Sequence, residues 1–115
     1  MVSLNPMGNE EQGVRVVLVT VPSVDVGKTI ARELVRSGKV GCANVLPGLT
    51  SIYVWEGELC EDSEALLILK ASAQAIPELE RALLALHPYT TPEFVVLEAA
   101  HVEPSYQAWL LGPLD

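Results

Sequence analysis

The sequence predicts an α+β fold: one ferredoxin-like, split β-α-β-β-α-β domain with an extra C-terminal helix. Three observations lead there. Four segments rich in β-branched and aliphatic residues alternate with two segments of helical spacing, in the order strand, helix, strand, strand, helix, strand. Right-handed crossovers in that order place both helices on one face of a single sheet. Strands 14–21, 65–69 and 94–97 are nonetheless apolar on both faces, so the face without helices needs another cover. A second copy of the chain is the economical cover, and the sequence therefore predicts a homo-oligomer with sheets packed together.

Residues 1–13 hold Asn, Pro, Gly, Glu and Gln without periodicity and read as a flexible N-terminal extension, leaving 14–115 as a single domain. Val14 to Val21 is nearly continuous in β-branched residues and forms the first strand, ended by Pro22. Ser23 is placed to cap a helix running to about Arg36, with Asp25 in its first turn, an apolar stripe of Ile30, Leu34 and Val35, and Gly38 as its stop. Val40 to Leu46 is the second strand, bent at Pro47-Gly48 and resumed from Thr50 to Glu56. The charged residues and Gly57 that follow read as a turn before a strand from Ala65 to Lys70. Leu79, Leu83 and Leu86 give 76–86 helical spacing, with Pro77 in the first turn. The run from His87 to Pro92 is an ordered non-helical loop, since each proline disfavours helix at the residue before it. Phe94 to Ala99 is the last strand, and Pro104 opens the short helix carrying Tyr106, Trp109 and Leu110.

With 115 residues, 50% of them hydrophobic and 19% charged, the chain has the composition of one folded domain, not of a disordered one. Its formal charge of −8 repels phosphate backbones and anionic lipid surfaces, which excludes nucleic acid and membrane as expected partners. Cys42 and Cys60 form no framework of spaced cysteines. The N-terminus lacks the charged and apolar regions of a signal peptide, and no stretch reaches the ~20 apolar residues that span a bilayer. A cytoplasmic protein with reduced thiols is expected.

Val26-Gly27-Lys28-Thr29 lies between a strand and a helix, like the end of a phosphate-binding loop. Counting five positions back from Gly27 lands on Pro22, which has no N–H for a phosphate, so a helical first turn is the better reading. His87, held by Pro88, suits either a transition metal or the capping of helix carbonyls. His101 has no evident companion. Cys42, among small residues, reads as a small hydrophobe or a soft metal ligand, and Cys60, among Glu58, Glu61 and Asp62, as a poor nucleophile in an exposed turn. Glu56 and Glu93 are the carboxylates next to aromatic or proline-fixed structure, but no nucleophile–base motif accompanies them. Tyr53 and Trp55 share one strand face, as the wall of a pocket or interface does.

The segment from Cys42 to Gly57, the run from His87 to Glu93, Tyr106-x-x-Trp109-Leu110, and the shorter Thr20-Val21-Pro22 and Leu69-Lys70 together resemble the CutA divalent-cation tolerance family over residues 14–111. The resemblance implies a cytoplasmic homotrimer implicated in tolerance of copper and other divalent ions, with no enzymatic activity and no required cofactor. In that family metal binding is attributed to a cysteine before the Thr-x-Pro segment and to paired histidines before Pro-Tyr. Val19 and Leu86 stand at the first of those positions and at the first histidine. His87 is retained, with Cys42 as the family's other cysteine, and together they imply weak binding of Cu²⁺ or Zn²⁺ at most. Tyr53, Trp55, Lys70, Tyr89 and Glu93 are expected around a pocket near a subunit junction. The alternative is a trimeric sensor of the nitrogen-signalling regulator type, with a metabolite in the cleft between subunits. An acylphosphatase-like enzyme ranks last, since residues 22–26 supply no Arg.

Overall fold

A computed structural model describes residues 13–112, so the expected N-terminal extension falls outside the described residues apart from Gly13. The strands are β1 (Val14–Val21), β2 (Cys42–Trp55), β3 (Glu58–Ser72) and β4 (Val95–Glu98). The helices are α1 (Val24–Arg36), α2 (Ile76–Leu86) and α3 (Pro104–Leu110), with a single 3-10 turn at Ala73–Ala75. One antiparallel sheet has the order β2-β3-β1-β4, as the β-α-β-β-α-β order requires.

Strand alternation places the core. Val17, Val19 and Val21 of β1 and Ala65, Leu67, Leu69 and Ala71 of β3 point to the side covered by α1 and α2, where Ile30, Leu34, Leu79 and Leu83 meet them. All eleven are buried. Ser23 caps α1 as its sequence position implies, its hydroxyl accepting from the Val26 amide at 3.2 Å. Gly27 is explained by packing: a Cβ there would lie 3.1–3.3 Å from Val21, Leu67 and Val45, so the glycine lets the helix settle onto the sheet. Val35 is the exception in the expected stripe and is exposed.

Residues opposite one another across an antiparallel pair share a face. The register therefore sets Val16, Leu18 and Thr20 beside Leu66, Ile68 and Lys70 on the side without helices, extended by Cys42, Asn44 and Leu46 from β2 and Val95 and Leu97 from β4. Each of these is only half-buried or exposed. The two-faced apolar pattern is thus a property of the folded chain.

The β2–β3 hairpin is longer than the sequence pattern suggests. Strand β3 begins at Glu58 instead of Ala65, because Glu56 (φ 52°) and Gly57 (φ 81°) alone make the turn, a two-residue left-handed connection that matches strand twist. Cys60 accordingly lies in a strand, half-buried, and not in a turn. Pro47 and Gly48 (φ 80°) oppose Ala65 alone and form a bulge, so the bend read at these residues interrupts the ladder without ending the strand.

Helix α3 is anchored by Leu110, the one apolar side chain of the helix that is buried, over the start of β2. The approach is close enough that a Cβ on Gly41 would sit 2.1 Å from the Leu110 carbonyl oxygen, a backbone atom that cannot rotate away. Gly41→Ala is therefore expected to displace α3 and lower stability by about 1–3 kcal/mol in a denaturant titration.

Candidate functional site

The base of the hairpin, where β2 and β3 pass the loop after α2, collects the titratable groups. Pro88 and Pro92 keep residues 87–93 out of helix, and the loop turns the side chains of His87 and Tyr89 back onto the sheet. The Tyr89 hydroxyl donates to Glu64 Oε2 at 2.6 Å. One step further along the hairpin the Tyr53 hydroxyl donates to the Asp62 carboxylate. Tyr53, Asp62 and Glu64 all belong to the sheet face that lacks helices.

The electrostatics follow from two phenols meeting carboxylates. The hydrogen bond to Asp62, helped by partial desolvation, pushes Tyr53 up to about 12. Burial and then the bond to Glu64 push the Tyr89 phenol up still further. Burial and the charge of Glu64 raise the Glu93 carboxyl above its ordinary range. The group therefore keeps its phenolic protons at neutral pH and concentrates negative charge around Glu64.

His87 closes the C-terminal end of α2, its amide donating to the Leu83 carbonyl at 2.9 Å. Its ring does not cap that helix. Nε2 bonds the Thr20 carbonyl oxygen of β1 at 2.8 Å, and Nδ1 accepts from the Tyr89 amide at 3.0 Å. The imidazole also lies 4.7 Å from the Tyr89 ring. Both ring nitrogens are thus engaged within the fold, and in this arrangement neither presents a free lone pair.

Cys42 lies apart from that ring. His87 bonds β1 at Thr20, opposite Leu66, whereas Cys42 stands opposite Lys70, four residues further along β3, on the order of 13 Å away. Among the described residues, no group of three or more His, Cys, Asp or Glu is placed to hold a metal ion.

Of the five residues expected around a pocket, the structure brings Tyr53, Tyr89 and Glu93 into one electrostatic neighbourhood. Trp55 projects from the hairpin tip, and Lys70 lies at the far end of β3, its Nζ 3.4 Å from the Tyr106 hydroxyl. Glu56 is in the turn itself. Asp62 and Glu64, the acceptors of both phenols, escape a reading that treats the acidic run as a turn. Taking Glu56-Gly57 as a two-residue turn and counting outward would have paired Asp62 with Ser51 and Glu64 with Leu49. Beside Glu64 a cavity of about 270 Å³ opens between the first turn of α1, the bulge and β3, lined by residues 22–24, 48–50 and 63–65.

Fold and site together define a class: a ferredoxin-like α+β protein with one bare apolar sheet face and an acidic hairpin base, bearing no nucleophile–base arrangement among the described residues. The family model "CutA1 divalent ion tolerance protein" matches residues 15–112, and the chain belongs to that family. The chain is 50% identical over 95 residues to the divalent-cation tolerance protein CutA of Thermus thermophilus, covering 83% of this chain and 92% of that one. The structure of the Thermus thermophilus protein superposes with a TM-score of 0.82 at 49% identity, over 85% of this chain and 95% of the other. A Nostoc structure described as a PII-like protein CutA in apo form gives 0.79 at 37% identity, over 84% and 93% of the two chains. The family name carries no single compartment: relatives are described as chloroplastic in Arabidopsis thaliana, where this chain spans 52% of the relative, and periplasmic in Archaeoglobus fulgidus. No helix among the described residues is long and apolar enough to cross a membrane.

The hairpin pair is open to a direct test by pH. The folded-state value of Tyr53 lies above the ordinary phenol value of 10.0, so the bond to Asp62 contributes stability that is complete below about pH 10 and lost as pH rises through about 12. Asp62→Asn should bring Tyr53 ionisation down toward 10, read from the ring-carbon resonance of Tyr53 in an alkaline NMR titration.

Proposed function

We propose that the protein is a non-enzymatic homotrimer of the cytoplasm that supports tolerance of copper and other divalent ions and binds those ions only weakly. The observation that carries the reading is the bare apolar sheet face. Leu18, Leu66, Ile68, Val95 and Leu97 form one surface that two helices on the opposite side cannot reach, and burying it favours assembly by about 25 cal/mol per Å². Family membership supplies the link to divalent ions. With the ring nitrogens of His87 engaged, ions associate with the exposed carboxylates of the hairpin tip, Glu56, Glu58 and Glu61, in a chain of net charge −8. Such association is loose, unselective and screened by salt.

A second reading rests on the cavity beside Glu64 and on the PII-like description of the Nostoc relative: a sensor that takes a small metabolite near a subunit junction. A thermal-shift screen separates the two, since a ligand specific to the folded state raises its apparent stability. Nucleotides or other metabolites shift the transition under the second reading and leave it in place under the first.

Calorimetric titration with Cu²⁺ and Zn²⁺ tests the metal reading. Affinity should be micromolar or weaker, fade with added salt, and be unchanged in His87→Gln, which keeps a donor and an acceptor but no imidazole. Loss of binding in that variant would return the ligand role to the ring. Nanomolar affinity would require a ligand set assembled between subunits.

A further inference from the structure

We infer that the end of the β2–β3 hairpin is a docking arm, and that the face continuing the helix-covered side of the sheet lies on α1 of a second copy of the chain. The arm begins past the bulge. There Ile52 stands opposite Glu61 and Val54 opposite Leu59, so these four residues share that face. No helix covers them. Ile52, Val54 and Leu59 are 64%, 66% and 71% exposed, more than any other large aliphatic side chain among the described residues. Tyr53 and Trp55 point the other way, with the bare face. Sheet packing through the bare face therefore leaves this second apolar surface open, and covering it takes a separate contact.

Charge selects the occupant. The chain has no Lys or Arg between Lys39 and Lys70, while Glu56, Glu58, Glu61, Asp62 and Glu64 crowd the arm. Anionic lipid and nucleic acid are repelled there, and a cationic surface with an apolar centre is attracted. α1 supplies such a surface. Lys28, Arg32 and Arg36 recur every four residues, which sets three like charges along one side of the helix. All three are exposed, and none is in an ion pair within the described residues, although acids outnumber bases 15 to 7 in the chain. Val35, exposed against the expectation of a buried stripe, lies three residues after Arg32 and seven after Lys28, on the same side.

The two surfaces match in layout as well as in sign. Glu61, opposite Ile52, and Glu56, in the turn four residues beyond Ile52, bracket the aliphatic trio about 13 Å apart. Lys28 and Arg36 stand eight residues, about 12 Å, apart along α1, with Val35 between them. Within one copy the two surfaces do not meet, since each is exposed. The chain nonetheless carries both halves of the contact, so a second copy is the partner that fits.

A photo-crosslinking p-benzoylphenylalanine in place of Leu59 of the full chain tests the contact without any ligand. Irradiation should yield a species near twice 12.4 kDa on a denaturing gel, with the link mapped by mass spectrometry to residues 28–36. A product of single mass alone, or a link to α2, β4 or the bare face, would overturn the inference. Glu56→Lys with Glu61→Lys should cut the yield roughly tenfold, and so should Lys28→Glu with Arg36→Glu, because like charges then face each other. Combining all four substitutions should restore it, and a yield that stays low would contradict the pairing of these two surfaces. Added salt should also lower the yield, and a link indifferent to salt would contradict the charge pairing. All five positions are exposed and outside the core, so the variants probe the contact and not the fold.

Discussion

A sheet with two apolar faces and helices for only one sets the terms for the rest of this molecule. The helix side is a finished core, closed by valines of β1, leucines of β3 and the stripes of α1 and α2. The other side carries the same kind of residue in alternate positions and is left half-open. Among the described residues, the one helix besides α1 and α2 is the seven-residue α3, and Leu110 commits it to Gly41, just before β2. On the proposed reading, a second copy of the chain supplies the cover.

The hairpin extends the same constraint. Past the bulge at Pro47-Gly48, β2 and β3 run on without helix support, and Tyr53 and Trp55 project on the side of the bare face. At the base of this arm, carboxylates that would repel one another are held by phenols, and the loop carrying one phenol is tied to β1 by His87. Hydrogen-bonded protons thus keep the acidic end of the sheet in order. The same bonds engage both nitrogens of the histidine ring.

Much of the fold was legible because it is local. Ser23, Gly38 and Pro104 mark helix ends where the structure has them, and β4 is displaced by only a residue at each end. The first half of β3 was not legible. Glu58, Glu61, Asp62 and Glu64 lie on an arm with no helix over it, so they lack the buried alternation that identifies a strand, and only the Glu56-Gly57 turn encodes their pairing. The site was legible in part: Tyr53 stands out by sharing a strand face with Trp55, Glu93 by its proline-fixed surroundings and Tyr89 as a member of the expected pocket, while the partners Asp62 and Glu64 do not. The role of His87 was the least accessible, since it depends on Thr20, 67 residues earlier in the chain. Sequence spacing shows a histidine held by a proline. It does not show that both ring nitrogens are engaged.

The central claim is that the bare sheet face makes the single subunit incomplete. Sedimentation equilibrium over a wide dilution series measures this most directly. The account predicts a mass near three times 12.4 kDa at every concentration, with Ile68→Lys, a charge placed in the middle of the bare face and away from the helix-side core, reducing it. A wild-type protein that sediments as a stable 12.4 kDa monomer at micromolar concentration would contradict the account.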